Sequence, residues 1–218
     1  MAAGIPASIN SDHLSVLALF AMLMTGLSYW MARTSRWGLL AAALWLAVNW
    51  FGDSLDGTLA RVRGHQRPRY GFYVDHVIDA FGMVFLMAGL GLSGCMSPLV
   101  AMGLLIAYFL LSIEVYLATY CCGTFRLSFW KFGPTELRLL LCAGNLALFV
   151  HPTAMLFGHA YRLFDVGGVI GAAGLTLTVI VSSLQNAQAL YKAEPIPRGG
   201  LMAPGSWGPQ PSALSPEP

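Results

Sequence analysis

Residues 80–113, AFGMVFLMAGLGLSGCMSPLVAMGLLIAYFLLSI, hold no Lys, Arg, Asp or Glu over 34 positions. A helix crosses the ~30 Å hydrocarbon core of a bilayer with about 20 apolar residues, so this run is too long for one span and suits two. Ser93, Gly94, Ser97 and Pro98 provide the break between them. Working outward, residues 13–32 form an earlier charge-free span. After a short turn at 33–36, a second runs through 37–52 and on into Asp53 and Asp56. A fifth helix is expected from Gly133-Pro134 to about Val150, and a sixth within 166–191. The expectation is an all-α, polytopic membrane protein whose six transmembrane helices form one domain over residues 1–191.

Composition agrees. Only 10% of residues are charged and 56% are hydrophobic, against about 25% charged in an ordinary soluble protein. That leaves too few charges for a soluble surface. A net charge of +2 gives no reason to expect a nucleic-acid partner. Cys95, Cys121, Cys122 and Cys142 form no CxxC pair and no zinc spacing, so they read as free thiols. Residues 1–12 carry no Lys or Arg, which argues against a signal peptide. Residues 192–218 hold seven of the twelve prolines and no apolar period, and are expected to be a disordered tail.

Six spans place both termini on one side. Arg61, Arg63, Arg67, Arg69, Arg126, Lys131, Lys192 and Arg198 share that side, while Arg33, Arg36 and Arg162 lie opposite. The positive-inside rule then makes the first side cytoplasmic.

Ionisable groups are costly in a bilayer, and acids there are functional suspects. Asp53 and Asp56 are three apart at the end of the second helix, and Asp75 and Asp79 four apart at the start of the third. Each pair falls on one helical face, and a short loop lets the two faces meet as an antiparallel pair. Four clustered carboxylates repel unless cations neutralise them, and hard oxygen ligands select Mg²⁺, Mn²⁺ or Ca²⁺. Gly57 and Gly71 leave room for a bulky ligand, and Arg61 can hold a phosphate. Two readings fit these groups: metal-assisted phosphoryl transfer, and divalent-cation transport.

The spacing carries more. Asp53-x-x-Asp56-Gly57-x-x-Ala60-Arg61, nine residues, then Gly71-x-x-x-Asp75-x-x-x-Asp79 closely resembles the signature of the CDP-alcohol phosphotransferases, with all eight fixed positions met. The resemblance implies transfer of a substituted phosphate from a CDP-linked donor to an alcohol, with release of CMP, in phospholipid biosynthesis. It implies two divalent cations, Mg²⁺ or Mn²⁺, at a cytoplasm-facing site. Asp53, Asp56, Asp75 and Asp79 would be metal ligands, and Asp79 also the general base. Gly57, Ala60, Arg61 and Gly71 would bind the CDP, and the enzyme would be a homodimer. Chain length favours CDP-diacylglycerol with a soluble acceptor over a soluble CDP-alcohol with a lipid acceptor, although the step Asp75-His76 also resembles the choline/ethanolamine branch.

Other positions have lesser claims. Glu114 is expected either to line the acceptor cavity or to pair with Arg138. Arg126 and Lys131 are candidates for acceptor binding. Arg63, Arg67 and Arg69 are expected to meet anionic lipid. His159 reads as a plain loop residue, and Gly167-x-x-x-Gly171 as a helix-packing motif.

Overall fold

The computed structural model describes residues 4–6, 8–122, 134–150, 153–156 and 159–194. In chain order it forms α1 (Ser11–Ala32), α2 (Trp37–Val62), α3 (Pro68–Ser93), α4 (Pro98–Cys122), α5 (Pro134–Val150), β1 (Thr153–Leu156), β2 (His159–Arg162) and α6 (Leu163–Ala193). All helices except α5 are long and apolar enough to cross a membrane. The 17 residues of α5 extend only about 25 Å.

The breaks between helices have local causes. The long apolar run divides where expected: Gly94 ends α3 in the left-handed conformation at φ +78°, which glycine adopts without a Cβ penalty. Pro98 then opens α4, in a position where its missing N–H costs nothing. At the other end of the bundle, α2 closes with Gly64 at φ +68°. There the amide of His65 donates to the Ala60 carbonyl at 2.9 Å and that of Gly64 to Arg61 at 3.2 Å. This pair of bonds satisfies carbonyls the helix end would leave open. Pro68 starts α3 directly afterwards, so the turn between the two aspartate-bearing helices is tight.

Helix α1 packs against both α2 and α3, whereas α2 and α3 scarcely approach each other along their lengths. Glycines allow the close approach of α1. A Cβ on Gly52 would lie 2.8 Å from the Leu14 carbonyl oxygen and 3.2 Å from the Ala18 Cβ. Gly26 and Gly89 pack backbone to backbone between α1 and α3, where a Cβ on either would collide with the opposite chain. The two motif helices therefore do not form the simple antiparallel pair expected from their short connection: α1 wedges them apart.

On the other flank α3 packs on α4, α4 on α6, and α5 on α2. Val100 meets Gly168, Leu104 meets Gly171 and Glu114 meets Ser182, so α4 and α6 run parallel. In the GxxxG stretch the contacts fall on Gly168 and Gly171; Gly167 faces open space. The largest buried cluster joins Tyr29, Leu39, Leu86, Leu90, Met96 and Phe164, all at the end of the bundle away from the aspartates. There the Tyr29 hydroxyl donates to Asn145 Oδ1 at 2.9 Å in a fully buried site. Large apolar side chains such as Phe20, Leu99, Leu110, Leu117 and Leu177 point outward, as a lipid-facing surface requires.

The fold is all-α as expected, with a short hairpin, β1–β2, between α5 and α6. Thr153 pairs with Arg162 and Leu156 with His159 in antiparallel register, so His159 lies in a strand rather than a plain loop. Between α5 and α6 the backbone polar groups need partners, and two four-residue strands supply them to each other. Helix α6 runs on through Lys192 and Ala193, the first two residues of the expected tail; Glu194 follows, and residues 195–218 lie outside the described residues.

Candidate active site

Helix α2 carries its acids within its last ten residues and α3 within its first twelve, so the tight turn sets both at one end of the bundle. One carboxylate oxygen from each of Asp53, Asp75 and Asp79 lies within 4.8 Å of the other two. Asp53 and Asp79 are half-buried and Asp75 is exposed. Oxygens bound to one divalent cation at 2.0–2.6 Å are separated by roughly this much or less, so the three can share an ion. They reach one another across the gap that α1 holds open.

Asp56 lies outside that group. Its Oδ2 accepts from Ser15 Oγ of α1 at 2.7 Å, and its Oδ1 is bonded by the Gly57 amide. Helix α2 is thus tied to α1 by a hydrogen bond as well as by packing. Gly57 and Gly71 each have nothing within 4 Å of a Cβ position. Neither glycine serves packing, and both border open space beside the acids. Ala60 is half-buried and Arg61 exposed; the Arg61 Nη2 donates to Thr58 Oγ1 at 3.3 Å.

Arg138 of α5 enters the site, which the sequence reading did not anticipate. Its Nη2 donates to Asp53 Oδ2 at 2.8 Å, with the Arg138 and Asp53 side chains only 13% and 25% exposed. The expected pairing of Glu114 with Arg138 is therefore wrong. Glu114 Oε1 accepts instead from Ser182 Oγ at 2.8 Å and Asn186 Nδ2 at 2.7 Å. Those donors come from α6, which packs on α4, whereas Arg138 faces α2. One signal could have found Arg138: it is the only Lys or Arg inside the six spans expected from the sequence, and such residues seek an acid. Nothing in the spacing pointed to Ser15, because the residue is common in helices and its partner is 41 positions away.

The arginines of the α2–α3 turn also differ from expectation. Arg63 donates to the carbonyls of Ile5, Pro6 and Ile9, and Arg67 holds Asp12 with 2.7 Å contacts to both carboxylate oxygens. Arg63 engages the segment before α1 and Arg67 its first turn; among the described residues Arg69 has no such clamp. His76 Nδ1 lies 2.7 Å from the Phe72 carbonyl, and its ring packs on Phe72 and Tyr116. Arg126 and Lys131 lie outside the described residues.

Comparison with known proteins agrees with this arrangement. No curated protein matches the chain significantly. Among solved structures, the crystal structure of Mycobacterium tuberculosis phosphatidylinositol phosphate synthase with CDP-DAG bound aligns over 84% of this chain and 86% of its own, at 19% identity and a TM-score of 0.52. At that identity the likeness is one of fold. The family model for CDP-alcohol phosphatidyltransferases matches residues 11–180, a stretch that includes every motif position and the three converging acids. The chain is an integral membrane transferase of phosphate-containing groups, and it belongs to the CDP-alcohol phosphatidyltransferase family.

Proposed function

We propose that the protein transfers a phosphatidyl group from CDP-diacylglycerol to the hydroxyl of a soluble alcohol and releases CMP. The observation that carries this reading is the convergence of Asp53, Asp75 and Asp79 within 4.8 Å, with the open positions of Gly57 and Gly71 beside them. The donor set is all carboxylate, which fits Mg²⁺ or Mn²⁺. Asp53, Asp75 and Asp79 would hold the ions, with Asp56 adjoining. When bound, such ions neutralise the diphosphate and stabilise charge on the attacking and leaving oxygens.

The chain's own residues do the rest. Gly57 and Gly71 leave room for the cytidine diphosphate, Ala60 keeps the same face small, and Arg61 is exposed next to it to bind a phosphate oxygen. The acceptor hydroxyl attacks the phosphorus that carries the diacylglycerol. A new P–O bond forms there as the bond to the bridging oxygen breaks. Asp79 takes the hydroxyl proton, and the CMP oxygen leaves with the electron pair of the broken bond. Its half-buried position on α3 limits water contact with that carboxylate. Arg126 and Lys131 are assigned to the acceptor side on charge and position in sequence alone. Glu114 is assigned to the α4–α6 contact, since two donors already occupy its Oε1.

The excess of basic residues beside the motif end supports a cytoplasmic site and cytoplasmic termini. The exposed apolar faces of α4 and α6 are compatible with a homodimer. The cation-transporter alternative has no support from the family match or the structural likeness.

One incubation tests the reading: purified protein, Mn²⁺, CDP-diacylglycerol and a panel of candidate alcohols, with products identified by mass spectrometry. CMP release coupled to a new phosphatidyl alcohol is expected for at least one acceptor. Metal flux in proteoliposomes with no CMP release from any pair would refute it.

A further inference from the structure

We infer that Arg138 is a resident counter-ion of the carboxylate cluster, a positioning residue that holds Asp53 and keeps the site's affinity for divalent cations low. The inference rests on the metal-binding part of the proposed function and concerns a residue outside the motif.

Three carboxylates converge; the Arg138 guanidinium lies 2.8 Å from Asp53 Oδ2, and the His76 ring, 3.8 Å from Asp75 Oδ2, stands farther off and carries charge only when protonated. Arg138 and Asp53 are both largely shielded from solvent, so their interaction is weakly screened. Arg138 projects from α5, which packs on α2, so its charge approaches the cluster from the flank opposite α3. Any divalent ion shared by Asp53, Asp75 and Asp79 must sit within a few ångströms of that charge. It either displaces Arg138 from Asp53 or binds beside it against repulsion. Both routes cost affinity, and the repulsion acts on two charges of the ion. Losing one hydrogen bond to Asp53 costs less, because the carboxylate stays fixed to α2 and within reach of its two neighbours.

A purely structural ion pair would behave otherwise. It would stabilise the α2–α5 contact equally with and without metal and leave metal affinity unchanged. A resident counter-ion matters most when the metal is absent.

The test is Mn²⁺ binding to the full-length protein in detergent, read from the paramagnetic resonance signal of free Mn²⁺, with no substrate present. The Arg138→Gln protein should bind Mn²⁺ on the order of tenfold more tightly than wild type, and Arg138→Lys, which keeps the charge, should stay near wild type. Thermal unfolding should show Arg138→Gln destabilised without metal and raised by Mn²⁺ more than wild type is. If Arg138→Gln does not survive without metal, it is prepared in Mn²⁺ and its affinity read by competition with a chelator, where the same tightening is expected. Unchanged or weaker Mn²⁺ binding by Arg138→Gln, with wild-type binding intact and lost in Asp75→Asn, overturns the counter-ion role alone. Absence of any Mn²⁺ binding that Asp75→Asn abolishes overturns both this inference and the metal site beneath it.

Discussion

Two glycines five residues apart on α2 have opposite surroundings, and substituting each by alanine separates packing from ligand space. At Gly52 an added Cβ would sit 2.8 Å from the Leu14 carbonyl oxygen, against an ordinary contact distance of 3.4 Å or more. Helix α2 must then move from α1 by roughly 0.6 Å to restore normal contact. Overpacking of this kind costs about 1–3 kcal/mol, offset by up to ~1 kcal/mol from the better helix propensity of alanine. The shift falls on the residue next to Asp53, so it widens the carboxylate triangle. Misplacement approaching 1 Å in an active site can cost about 10²-fold in rate, and a tenfold or greater loss is expected here together with weaker Mn²⁺ binding. Gly57→Ala meets nothing within 4 Å. It should leave stability unchanged or raise it by ~0.5–1 kcal/mol, while donor affinity falls because the methyl enters space assigned to the CDP. Thermal unfolding in detergent, Mn²⁺ binding and donor binding on both variants decide the matter. A Gly52→Ala protein as stable as wild type, or a Gly57→Ala protein that is equally destabilised, would refute the reasoning.

Asp79→Asn keeps one oxygen ligand but cannot accept a proton, so turnover should fall by ~10²–10⁴ with donor binding retained. Asp53→Asn should lose metal and donor affinity together, and equal loss of donor affinity in both variants would move the base elsewhere. Ser15→Ala removes a charge-assisted bond to Asp56, worth about 1.5–3 kcal/mol; a several-fold loss of donor affinity with intact helicity is expected, and wild-type binding would sink the tie. Chelation by EDTA should abolish CMP release and Mn²⁺ should restore it, whereas full turnover in metal-free buffer would exclude the carboxylate site from the chemistry. Truncation after residue 195 should leave turnover unchanged, and a tenfold slower enzyme with normal donor binding would show that the tail reaches the site.

The helices were legible because hydropathy and charge act locally. A charge-free run divided by Gly94 and Pro98 can only be two spans, and the structure divides it there. The acids were legible because three- and four-residue spacing fixes a helical face, and Asp53, Asp75 and Asp79 do converge. What was not legible depends on which helices become neighbours. Arg138 chose Asp53 over Glu114 because α5 packs on α2, a tertiary choice with no trace in local spacing. Ser15 reached Asp56 for the same reason. The hairpin was missed because four-residue strands beside long apolar helices leave too short a pattern to read.

The position of α1 has a consequence for how such a site can vary. This helix holds no motif residue, yet Leu14 and Ala18 on its buried face meet Gly52 of α2 and set how closely α2 approaches α1 beside Asp53. It works as a shim in a clamp whose hinge is the far-end cluster around Tyr29 and Leu90. Exchanging Ala18 for a bulkier or smaller side chain therefore resets the jaw opening while every acid keeps its identity. That opening is set by a helix that carries none of the eight motif positions.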